Sequence, residues 1–152
     1  MLTAPGQTCA WTLPRLVDAR NKIVGEMIGP DMVLLKMESK WFGLPVDTEG
    51  FVATDSLKLL YELPNCWGAP YIRSLAQNAL MVRADGDNAS VTDMGILYYP
   101  DESDRKQITV LSTVLMNHPG STCESAEYQE TVSRIRHIHL NTTGFSRPFR
   151  IK

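Results

Sequence analysis

Leu13-Pro-Arg-Leu-Val-Asp-Ala-Arg-Asn-Lys-Ile-Val-Gly-Glu-Met-Ile28 is the stretch on which the fold class turns. Leu13, Leu16, Val17, Ile23, Val24, Met27 and Ile28 recur at helical spacing and would form one apolar stripe. Thr12 stands where an N-cap would, Pro14 is tolerated in a first turn, and Gly29-Pro30 ends the run. Working outward, Asp31 can cap a second short helix carrying Leu34, Leu35 and Met37. Thr54-Asp55-Ser56 opens a third, with Leu57, Leu60 and Tyr61 on one side and Pro64 at its end. Between them, Trp41 to Val52 holds Gly43, Pro45 and Gly50 and reads as loop with short strands. The first half is therefore predicted to be helical.

The second half changes period. Segments 72–84, 89–99, 106–117 and 128–140 are rich in β-branched and aromatic residues. Asp85-Gly86 between the first two is a strong hairpin signal, because Gly accepts positive φ. Polar turns at Pro100–Asp104 and Pro119–Thr122 separate the rest, and the simplest arrangement is a four-stranded antiparallel meander. Helices followed by a meander predict an α+β fold, with N-terminal helices packed on one face of a curved antiparallel sheet.

The run Asn78-Ala-Leu-Met-Val-Arg-Ala-Asp-Gly-Asp-Asn-Ala-Ser-Val91 resembles the central hairpin of SnoaL-like proteins of the nuclear-transport-factor-like superfamily. Arg134-Ile-Arg-His137 is similar to their last strand, and Gly29-Pro-Asp31 before Leu34-Leu35 to the end of their first helix. The resemblance covers most of the chain in element order. It implies a single domain over 1–152, with 1–11 and 141–152 as extended tails and a conical pocket between helices and sheet. The chain departs from the family pattern at Ser74, where many members carry His, and at Glu26, where Asp is common. Its final strand lacks the usual Trp.

Composition narrows the function classes. An apolar content of 43% and a charged content of 21% match a globular domain rather than a disordered chain. A net charge of −2 leaves no overall basic field, so neither nucleic acid nor an anionic membrane is an expected partner. The Met1-Leu-Thr-Ala-Pro-Gly6 start lacks the regions of a signal peptide, and a cytoplasmic protein is expected. Cys9, Cys66 and Cys123 form no Cys-x-x-Cys motif, so reduced thiols are expected. Asn88-Ala-Ser and Asn141-Thr-Thr are glycosylation sequons that matter only in a secreted protein.

No phosphate-cradling Gly loop, Gly-x-Ser-x-Gly elbow or His-Glu-x-x-His motif is present, and no cofactor is expected. His137 and His139 share one strand face and could suit a metal. His118 would be a third ligand, but at ~3.3 Å per residue it lies on the order of 30 Å from the pair, so no metal is expected.

If each turn centres its hairpin, Asn78, Asp93, Ser112 and Ser133 form a polar band across the sheet. Val91, Leu97, Tyr99, Ile108, Val110, Val114, Met116, Ile135 and His137 run along the same faces. An apolar concave surface with a few convergent polar groups suits a small hydrophobic molecule. Asp93 is the expected proton-transfer residue and His137 its partner acid or base. Asn78, Tyr99, Ser112, Met116 and Ser133 would bind substrate, with Trp41, Tyr61, Trp67 and Tyr71 as mouth or lid. The competing reading makes these residues plain packing.

A cofactor-independent isomerase, cyclase or dehydratase is the expected function, since such chemistry needs only positioned acid–base groups in a dry pocket. The rival is a non-catalytic module of the same fold that binds a ligand or dimerises. Met94, Ile96, Tyr98, Leu111, Leu115, Val132 and Ile138 would supply a homodimer face. A third reading, a barrel with a binding role like that of lipocalins, follows if Met32 to Val52 are strands.

Overall fold

The computed structural model describes residues 13–52, 57–74, 79–81, 95–116 and 120–152. These residues form twelve strands and three single 3₁₀ turns, so the expected layer of N-terminal helices is replaced by sheet. The stretch read as the first helix is β1 (Arg15–Val17) and β2 (Ile23–Gly29), and the second helix is β3 (Met32–Met37). β4 (Lys40–Asp47) and β5 (Gly50–Phe51) follow, and the third helix is β6 (Leu57–Tyr61).

Local chemistry explains the change. Val33 and Leu35 on β3, and Phe42, Leu44 and Val46 on β4, are buried at a period of two, which only a strand can turn to one side. Glu38 and Ser39 between them have φ of 49° and 65°, the two positive values that a tight hairpin requires. Gly25 settles the pairing of β2 with β3: a Cβ there would lie 2.3 Å from the Leu34 carbonyl oxygen. A side chain at that position would push the two strands apart.

β7 (Tyr71–Arg73), β8 (Ala79–Met81), β9 (Ile96–Pro100), β10 (Lys106–Met116), β11 (Glu124–His139) and β12 (Arg150–Ile151) complete the chain. One antiparallel sheet runs β12-β1-β2-β3-β4-β5 and the other β10-β6-β7-β11-β9-β8. β10 also pairs with β11, which closes β10, β6, β7 and β11 into a ring. Leu60, Tyr71, Ile108, Val110 and Val132, drawn from all four of those strands, form one core cluster. A second cluster lies between the sheets. There Val33, Leu35, Phe42 and Leu44 meet Leu97 and Tyr99 of β9, Ile138 of β11, and Leu140, Phe145 and Phe149. Residues 141–152, expected as an extended tail, therefore belong to the core, and β12 pairs with β1.

The expected meander is corrected as well. β9 pairs with β11, not with β10, and Ser112 stands opposite Ser125 and Tyr61, not Ser133. The β10–β11 ladder shifts register between Val110 and Ser112. Side-chain alternation changes phase there: Ile108 and Val110 join the ring core, whereas Val114 and Met116 pack with Leu57, Leu59, Tyr61, Ile72 and Ile135. The single apolar face drawn from 108 to 116 is thus two faces.

Cys66 and Cys123 form a disulfide, which overturns the expectation of reduced thiols; Cys9 lies outside the described residues. The bridge ties the loop after β6 to the start of β11. The same loop is held by Ser112, whose Oγ donates to the Leu63 carbonyl at 2.5 Å and accepts from the Cys66 N–H at 2.8 Å. Asn65 and Cys66 are held at φ of 62° and 56°, a region that costs non-Gly residues energy and needs such anchors. Among the described residues, no helix is long and apolar enough to cross a membrane.

Reducing the bridge, or substituting Cys66→Ser, should lower unfolding stability by about 2–5 kcal/mol, because the open loop regains chain entropy. Urea denaturation with and without a thiol reductant measures this, and coincident midpoints would show that the bridge contributes nothing.

Candidate functional site

A cleft of ≈ 430 Å³ opens where the β1–β2 turn, the end of β3 and the 3₁₀ turn Leu140–Thr143 meet. Val24, Leu35, Ile138 and Phe145 give it an apolar floor, and all four also belong to the core between the sheets. Lys22, Lys36, Glu38, Thr142 and Thr143 supply its polar rim.

Its walls depend on Asp18, a carboxylate at 0% exposure. Asp18 Oδ1 accepts from the Arg20 and Lys22 N–H groups at 2.9 and 2.8 Å, and Oδ2 accepts from the Ser146 N–H at 2.9 Å. One carboxylate thereby closes the β1–β2 turn and binds the C-terminal segment to it. Lys22 strengthens the same join, donating from Nζ to the Thr143 carbonyl at 2.6 Å and lying 5.2 Å from the centre of the Phe145 ring. The Arg20 guanidinium donates to the Gly144 carbonyl. Gly144 has a φ of 75°, and a Cβ there would come within 3.1 Å of Lys22 Nζ, so glycine suits the position twice over.

The opposite rim is held from below. The Tyr99 hydroxyl donates to Glu38 Oε2 at 3.0 Å, and the ring packs edge-on against Phe42 at 5.2 Å. Burial pushes the Tyr99 pKa above its ordinary 10.0, and the Glu38 carboxylate adds to the rise. The phenol therefore stays neutral and orients Glu38 as a donor. The site thus presents an oriented carboxylate, one ammonium group, that of Lys22, and two hydroxyls around an apolar floor, while the Lys36 ammonium lies over the Trp41 ring on the outer face.

Tyr99 is the one expected site residue that touches this cleft, through Glu38. Ser112 and Ser133 are both fully buried; Ser112 is used by the loop after β6, and the Ser133 hydroxyl has no hydrogen-bond partner among the described residues. Tyr61 and Tyr71 are not a lid: they lie in different core clusters, Tyr61 together with Met116 and Tyr71 in the ring. Trp41 is 62% exposed on the outer face of β4 and Trp67 is 71% exposed beyond the 3₁₀ turn Pro64–Cys66. His137 is exposed and alternates with buried Ile138, so it points away from the cleft floor. Asn78 and Asp93 lie outside the described residues.

The expected homodimer face is also redistributed. Val132 and Ile138 are buried in the chain's own cores, Ile96, Tyr98, Leu111 and Leu115 are half-buried, and Met94 lies outside the described residues.

Sequence reasoning missed Lys22, Glu38, Thr142, Thr143 and Phe145. One signal lies in the sequence: Phe145 and Phe149 are large apolar residues within the segment expected as an extended tail, and their presence argues for packing.

Compared with protein families, with curated proteins and with solved structures, the chain finds no match.

Burial alone would raise the Asp18 pKa, but the N–H groups of Ser146, Lys22 and Arg20, with the Arg20 guanidinium, outweigh it and hold the group below 3.8. A carboxyl depressed in the folded state adds stability above its unfolded pKa and loses it as pH falls through the folded pKa. Asp18→Ala should cost roughly 3 kcal/mol at neutral pH, since three backbone donors, that of Ser146 buried and those of Arg20 and Lys22 part-buried, lose a charged acceptor. The difference between wild type and variant should shrink below about pH 4. Denaturant midpoints measured across pH check both, and a gap that widens in acid would contradict the assignment.

Proposed function

We propose that this chain is a small-molecule binding module, taking an amphipathic ligand whose apolar body lies in the cleft and whose polar end meets its rim. The observation that carries the reading is the cleft itself: ≈ 430 Å³, floored by Val24, Leu35, Ile138 and Phe145 and edged by Lys22, Lys36 and Glu38. That volume falls within the range of small-ligand sites, as does the mix of an apolar lining with a few fixed polar groups. The strands found between Met32 and Phe51 lend support to a β-built protein with a binding role, though they lie in an open sheet and not in a barrel.

Binding is better supported than turnover. The acid–base reading relies on Asp93, outside the described residues, and on His137, which faces away from the cleft. The rim's own charged groups are engaged, Lys22 with the Thr143 carbonyl and Glu38 with the Tyr99 hydroxyl, an arrangement suited to positioning a ligand. The Cys66–Cys123 bridge supports a working place in an oxidising compartment rather than the cytoplasm.

Anilinonaphthalene sulfonate, an apolar ring system with an anionic end, is a suitable probe. Its fluorescence should rise on binding at one site per chain. Thr142 is exposed at the rim, so Thr142→Trp should block the mouth and weaken binding at least about tenfold, with the unfolding midpoint little changed. Full-strength binding by a folded Thr142→Trp protein would refute the cleft as the site.

A further inference from the structure

His137 and His139 project from the same side of β11, away from the cleft, and both are exposed. Their ring centroids are 5.4 Å apart and the rings are perpendicular, at 85°. β11 is fixed beneath them by pairing with β9, His137 opposite Tyr98 and His139 opposite Ile96. The Tyr98 ring lies 6.1 Å from that of His137. Among the described residues both imidazoles make ring contacts only, with no hydrogen bond or ion pair to give up.

We propose that His137 and His139 form a two-imidazole chelate for a late first-row divalent cation such as Cu(II) or Zn(II). An imidazole nitrogen binds such an ion at about 2.0–2.1 Å, which places the ion about 3.2 Å from the ring centre. The two centres are 5.4 Å apart, within the sum of two such reaches, so rotation of the exposed imidazoles about χ1 and χ2 lets one ion meet both at an angle of about 115°, close to tetrahedral. Imidazole is the ligand type these ions favour. Among the described residues no group of three or more His, Cys, Asp or Glu converges, so the site proposed here has two protein ligands. His118 lies outside the described residues, and the two-histidine site does not call on it.

The site is independent of the cleft, and its test is direct. Calorimetric titration of the intact protein with ZnCl₂, and separately with a copper(II) salt, should show one ion per chain, with copper bound more tightly. His137→Gln and His139→Gln should each weaken binding at least about tenfold, since each leaves a single imidazole. His118→Gln should bind as wild type does. Absence of binding in the wild type, binding retained in His139→Gln, or binding lost in His118→Gln would each overturn the proposal. Circular dichroism of the Gln variants, expected to match wild type because both positions face solvent, separates loss of a ligand from loss of fold.

Discussion

One buried carboxylate joins the two ends of the described chain. Asp18 accepts from N–H groups in the β1–β2 turn and from Ser146, 128 residues further along. Placing a charge at 0% exposure is unfavourable unless hydrogen bonds replace its lost water, and here three backbone donors do so. The turn, the C-terminal segment and the cleft wall are consequently one unit. Phe145 and Phe149 reach the core between the sheets because the backbone next to Phe145 is tied to Asp18 and Lys22.

The second sheet relies on a different anchor. The ring of β10, β6, β7 and β11 is filled by Leu60, Tyr71, Ile108, Val110 and Val132, while its other face buries Leu57, Leu59 and Ile72. Ser112 sits at the register shift and satisfies both a donor and an acceptor of the loop that carries Cys66. A residue expected to bind substrate is thus occupied by the backbone, and the disulfide holds the same loop from the opposite side. A serine used in this way is a satisfied core residue, and the geometry leaves it no spare role.

Much of the second half was legible in the sequence, and the reason is local. β10 and the latter part of β11 are rich in β-branched residues, and the polar turn at 101–104 is a 3₁₀ turn in which the Asp101 side chain accepts from the Ser103 N–H. The first half misled because its alternation is interrupted. Register shifts between Leu16 and Val17 and between Met27 and Gly29 break the period of two. The apolar pairs Leu16-Val17, Ile23-Val24 and Met27-Ile28 then fall at spacings a helix would also use. Pairing of distant strands was not legible at all. Neither the β9–β11 ladder nor the Cys66–Cys123 bridge has a local signature, and both follow only once the ring closes. The same holds for the cleft, whose residues come from three separate parts of the chain.

The proposed ligand binding rests on a cleft built on the shared core, with an oriented carboxylate and the Lys22 ammonium at its edge. The most direct measurement is a two-dimensional amide NMR titration of labelled protein with anilinonaphthalene sulfonate. Shifts should concentrate at Lys22–Val24, Leu35–Glu38 and Thr142–Phe145, with the outer faces of β6 and β10 unaffected. Shifts centred on the face carrying Leu57, Leu59 and Met116, or none at saturating probe, would contradict it.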